Sequence, residues 1–181
     1  MGILGAIFQL CPQLAYQRPY VGAGNTSLTL TVGDVAKKEM VKVLKPHCSM
    51  MGGYKDGVDF VRPFFRRLTS SSSKGNVKLV RVSADLGPQN SWPNYCGHEV
   101  NRFARGKGLD FCTPEMVCKL FQAWLKTPTA RDHFYVSCGN ILCFFTDLGG
   151  GCSQRQIIIC NDYSNVPFGE DVIYVDPRKQ K

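Results

Sequence analysis

No stretch of this 181-residue chain approaches the ~20 consecutive apolar residues of a membrane-spanning helix. The opening run MGILGAIFQLCPQLAYQRPY is apolar but lacks a basic start and contains Pro12, which argues against a secretory leader. Ala6 stands where a myristoylation motif needs Ser or Thr. No GxGxxG is present, and Gly149-Gly150-Gly151 is not followed by Lys-Ser/Thr, which excludes the two common nucleotide-phosphate cradles. No Cys-x2-Cys knuckle, RNP aromatic motif, C2H2 finger, KH-type GxxG loop or internal repeat is found. Without a secretory context the sequon Asn25-Thr26-Ser27 carries no weight.

What is present is a globular composition, 44% hydrophobic and 20% charged. A chain of this size buries roughly two thirds of its unfolded surface without staples or metals. The nine cysteines are odd in number and irregular in spacing, so they do not form a secreted disulfide framework. Several lie inside apolar runs such as ILCFF and IIIC, where a free thiol acts as a small hydrophobe. They are expected to be mostly reduced core residues of a cytoplasmic or nuclear protein.

Charge is unevenly placed. Residues 1–110 hold 15 Lys/Arg against 7 Asp/Glu, a net +8, whereas residues 111–181 hold 7 against 7. All of the excess lies in the first part, which points to an acidic partner there.

The pattern predicts a single α+β domain over 1–181, with two or three short helices and a C-terminal antiparallel β-meander. Its parts are a basic 1–110, a helix plus meander over 111–176 and a polar tail over 177–181. LTLTV (28–32) reads as a strand. Asp34 then caps a helix that carries Ala36, Met40, Val43 and Leu44 on one face and Lys38, Lys42 and Lys45 on the other. VDFVRPFFRRL (58–68) places Arg62, Arg66 and Arg67 among phenylalanines, with Pro63 in the first turn of a short helix. TSSSSKGN (69–76) reads as a mobile loop, where phosphorylation would set negative charge beside Arg66 and Arg67. VKLVRVSADL is a strand with Val77, Leu79 and Val82 as core. TPEMVCKLFQAWLKT is the clearest helix, capped by Thr113, with Pro114 at its first position and a face of Val117, Leu120, Phe121 and Trp124. HFYVSC and ILCFFT join at Gly139-Asn140 in a two-residue hairpin, and RQIIIC and DVIYV complete the meander.

Three kinds of chemistry fit these residues. The first is a cysteine hydrolase. Cys96 would be the nucleophile at the start of a helix over 97–105. His133 would be the base, Asp147 or Asn161 would orient it, and Gln89 or Asn90 would donate to an oxyanion. Cys11 is a second nucleophile of the right type. The order of amide donor, cysteine, helix, strand-head histidine and acid or amide resembles that of the papain-like peptidases, and HFYVSCGNILCFFTD resembles their histidine strand and the one after it. That resemblance implies a cysteine peptidase-like activity carried by Cys96 and His133.

The second is zinc, held by Cys96, His98, Cys112 and Cys118, with 1, 13 and 5 residues between successive ligands. His47-Cys48 could add ligands. The third is a binding surface built from Lys38, Lys42, Lys45, Arg62, Arg66, Arg67, Arg102, Arg105 and Lys107, which needs positive charge and little precise spacing. The third reading best matches the small size, the missing cofactor motifs and the charge asymmetry. The expectation is a non-enzymatic module without cofactor that engages an acidic partner, RNA or protein, through its first 110 residues.

Overall fold

Near-continuous apolar runs, buried on both faces, build the sheet at the centre of the molecule. The computed structural model describes residues 20–21, 27–50, 60–83, 94–126, 133–147, 155–167 and 170–179. Its strands are β1 (Tyr20–Val21), β2 (Ser27–Val32), β3 (Cys48–Met50), β4 (Gly75–Ser83), β5 (Asn94–Cys96), β6 (His133–Cys138), β7 (Ile141–Asp147), β8 (Arg155–Asn161), β9 (Asn165–Pro167) and β10 (Asp171–Val175). Its helices are α1 (Lys37–Leu44), α2 (Val61–Arg67), α3 (Gly97–Gly106) and α4 (Pro114–Leu125). No described helix is long and apolar enough to cross a membrane.

The class is α+β, with four α-helices among the described residues and a mixed eight-stranded sheet. The sheet runs β1-β4-β10-β6-β7-β8-β3, and β2 also pairs with β4. β6, β7 and β8 form the antiparallel meander, turned at Gly139-Asn140 with Gly139 at φ 76°. The fourth segment, DVIYV, crosses back instead of following β8. It lies parallel to β6 and antiparallel to β4. Every residue of this strand is buried, so it needs neighbours on both edges and cover on both faces, which a position at the end of the meander would not give. The edge of β8 is taken by the short β3, in parallel.

Side chains on the two sides of the sheet enter two cores. Leu79, Phe134, Val136, Cys143, Phe145, Ile157, Ile159 and Ile173 face α1, α2 and α4. Val80, Val82, Tyr135, Leu142, Cys160, Val172 and Tyr174 face α3. The result is three layers with unequal helix cover.

The best local signals produce the α4 helix. Thr113 Oγ1 accepts from Met116 N at 3.4 Å, Pro114 opens the first turn, and Val117, Leu120, Phe121 and Trp124 are all buried. Two other local expectations change. α1 is capped at Ala36 with no side-chain bond, because Asp34 is drawn into an ion pair with Lys119 of α4. That ammonium holds the Asp34 carboxyl below its usual range. The serine loop is tied down rather than loose. Glu115, fully buried, accepts from the Gly33 amide and from both the amide and hydroxyl of Ser71, the latter two at 2.7 Å. Gly33, at φ 79°, is required there, since a Cβ would collide with the Ser73 carbonyl.

Candidate functional site

The helices α1 and α2 share one residue pattern. Met40 and Leu44 of α1, and Phe64 of α2 with Leu68 just after it, are fully buried against α4 and the sheet. One step round each helix, at 100° per residue, lie Lys37 and Val41 in α1 and Val61 and Phe65 in α2. A further step brings Lys38 and Lys42, and Arg62 and Arg66, to the solvent side.

Between the two helices this pattern leaves an open groove of about 640 Å³ lined by Lys37, Val41, Lys45, Cys48, Val61, Arg62, Phe65 and Arg66. Val41, Val61, Phe65 and Cys48 are half-buried and make an apolar floor, while Lys37, Lys45, Arg62 and Arg66 are exposed and make a basic rim. Among the described residues no carboxylate pairs with Lys37, Lys38, Lys42, Lys45 or Arg66. Burial, with the nearby Cys118 adding to it, pushes the Cys48 thiol up to about 12. It is therefore an apolar lining atom at neutral pH and not a nucleophile.

The nine expected binding residues do not form one surface. Lys45, Arg62 and Arg66 line the groove, Lys38 and Lys42 lie a step farther round α1, and Arg67 turns away to donate to Asn140 Oδ1 at 3.0 Å. Arg102, Arg105 and Lys107 belong to α3 and its C-terminal turn, on the other side of the sheet. There they have local partners. Arg105 pairs with Asp110 and lies over the Phe111 ring, Lys107 lies over Phe103, and Arg102 donates to His98 Nε2 at 3.3 Å.

The hydrolase constellation is not assembled. Cys96 caps α3, with Sγ toward the Asp162 carbonyl at 3.5 Å, next to the β6–β7 turn. His133 sits at the other end of β6, roughly 17 Å along the strand from that turn. Its Nε2 is held at 2.7 Å by Glu170. Asp147 lies with Arg155, its Oδ2 3.6 Å from Nε, on the opposite face of the sheet. Asn161 ends β8 near Cys96 but accepts from Ser164. Gln89, Asn90, Cys11 and the Gly149–Gly151 run lie outside the described residues. The length of β6 is what separates Cys96 from His133: Cys96, where β5 meets α3, lies near the β6–β7 turn, and His133 heads β6 at its far end.

The zinc set is likewise divided. Cys112 and Cys118 belong to the α1/α2/α4 core, with Sγ toward the carbonyls of Ile173 and Met40. Desolvation raises the Cys112 thiol well above its usual value and the Cys118 thiol to about 11, so neither is poised to bind as a thiolate. Cys96 and His98 are on the other side of the sheet. His47 packs on Phe121, and no metal-holding group of three or more ligands exists among the described residues.

Around Cys96 the residues serve structure. Glu99 closes back on the Cys96 amide at 3.3 Å instead of pairing with Arg102. Below it, Asn101 Oδ1 accepts from Ser137 Oγ and Tyr174 OH, both at 2.7 Å, while its Nδ2 donates to Gly139 O and Asp162 Oδ2. Gly97 allows the close approach of α3 to the 162 turn, since a Cβ would come 2.9 Å from the Asp162 carbonyl.

Fold and groove together define a class: a three-layer α+β protein with a basic-rimmed, apolar-floored cleft between two short helices. Comparison of the chain with protein-family models, with curated proteins and with solved structures gives no match in any of the three.

Sequence reasoning missed Lys37, Val41 and Val61, took Cys48 only as a possible metal ligand and Phe65 only as one of the phenylalanines among the arginines. The i, i+4, i+8 spacing of Lys37, Val41 and Lys45 is readable in the sequence. That α2 lies beside that stripe is not.

Proposed function

We propose that this protein is a non-enzymatic interaction module that engages an acidic macromolecular partner through the basic face of α1 and α2. The observation that supports it most is the set of exposed cations around the groove for which the described residues supply no counter-charge. Glu39 is the one acidic residue of α1 and forms no ion pair with them, so the excess of cations over carboxylates on this face costs repulsion, which an acidic ligand relieves. The net charge of +8 and its concentration in residues 1–110 act in the same direction at long range.

The test is binding to a labelled polyglutamate, read by fluorescence anisotropy across salt concentrations. Binding is expected to weaken steeply between low and physiological salt. It is also expected to fall on the combined change Lys37→Glu, Lys45→Glu and Arg66→Glu. A response flat in both salt and charge reversal ends this reading.

A further inference from the structure

The groove is more specific than a basic patch, because cations line its rim and not its floor. From that arrangement we infer that its occupant is an acidic, amphipathic peptide segment that docks as a helix, with an apolar side chain seated between α1 and α2. This inference rests on the reading above that the α1/α2 face binds an acidic partner, and it names the partner's chemistry.

Three observations support it. Lys37, at the start of α1, and Lys45, its C-cap, stand about two turns apart, about 12 Å along the axis, with Val41 midway between them. Arg62 and Arg66 lie on the facing helix beside Val61 and Phe65. An apolar anchor with carboxylates about a turn away on either side matches that spacing, which is how an amphipathic helix meets a two-helix groove. The volume of about 640 Å³ admits one large aliphatic or aromatic side chain with its neighbours. The floor argues against a nucleic acid. Val41, Val61 and Cys48 offer branched and small surfaces that do not stack a base. The one ring, Phe65, is half-buried and set edge-on to Phe64 at 5.6 Å between centroids.

The experiment uses the full chain and three labelled probes: a 16-residue helical peptide with glutamates flanking two leucines spaced i, i+4; the same peptide with both leucines replaced by serine; and a 16-nucleotide single-stranded RNA. Anionic phosphatidylserine vesicles form a fourth arm. The leucine peptide is expected to bind roughly tenfold or more tightly than its serine counterpart. Val41→Ser, or Val61→Ser if the first variant shows an altered thermal melt, removes that advantage without changing serine-peptide binding. Lys37→Glu with Lys45→Glu weakens both peptides.

Equal binding of the two peptides, with both weakened by Lys37→Glu and Lys45→Glu, overturns this inference and leaves the acidic-partner reading standing. Charge-dependent binding of RNA or vesicles without a leucine preference does the same. Loss of no probe on charge reversal overturns both.

Discussion

The two sides of the sheet both carry helices with basic residues, and they use them differently. On the α3 side each cation has a local role: Arg105 with Asp110 and Phe111, Lys107 over Phe103, Arg102 with His98. On the α1/α2 side the cations surround an apolar groove, and the described residues give Lys37, Lys38, Lys42, Lys45 and Arg66 no acidic partner. The cores beneath differ in the same way. Aromatic packing anchors α4, and a hydrogen-bonded asparagine anchors α3. Basic residues alone therefore do not distinguish the two sides; whether they have a local partner does.

The largest effect is expected in the aromatic core. Trp124 packs on Phe121, Phe134 and Phe145, with the Arg155 guanidinium 4.4 Å from its ring centroid. Trp124→Ala should cost about 3–5 kcal/mol in denaturant unfolding. A smaller loss would mean that this side is less tightly packed than its burial indicates.

A reactivity difference comes next. With its thiol held up to about 12, Cys48 in the folded protein should be alkylated at pH 8 roughly a thousandfold more slowly than free cysteine. Its rate should climb tenfold for each further pH unit, followed by mass spectrometry of the Cys48 peptide. A fast Cys48 at neutral pH would mean that the groove floor is wetter than its burial implies.

Third, reversing Lys37, Lys45 and Arg66 together should weaken polyglutamate binding roughly a hundredfold, whereas reversing Arg102, Arg105 and Lys107 should change it less than about threefold. Equal losses would erase the distinction between the two sides.

Sequence made some of this legible and hid the rest for physical reasons. The α4 helix was readable because its signals are local: Thr113 bonds three residues on, and Pro114 needs no partner. So was the Gly139-Asn140 hairpin, whose turn lies wholly within the chain it reverses. Asp34 misled, because a capping side chain can be taken by an ion from a distant element, here Lys119. The serine loop misled likewise, since Glu115, 44 residues away from Ser71, fixes it. Arg102, Arg105 and Lys107 read as available, yet Asp110 and Phe111 follow within a few residues and could have been weighed. Only the tertiary packing could show that Cys96 and His133 lie at opposite ends of β6 and that α1 and α2 are together.

The polar anchor of α3 should matter less than the aromatic one of α4. Asn101→Ala strands Ser137 and Tyr174 hydroxyls in a buried site, at a cost of about 1–3 kcal/mol in the same unfolding measurement. A loss matching that of Trp124→Ala would make the two anchors equivalent and remove the contrast.

The smallest effect is the most pointed. Arg105 and Asp110 are both about half exposed, at 54% and 52% of their side-chain surface, so the pair contributes less than about 0.5 kcal/mol. Asp110→Asn should leave the unfolding midpoint almost unchanged while it frees Arg105. If an unpaired cation were enough to bind acid, the α3 side would then gain affinity for polyglutamate. Because Arg105 keeps its contact with Phe111, the gain is expected to stay below about twofold. A larger gain would show that counter-charge alone separates the two sides, and that the groove floor adds nothing.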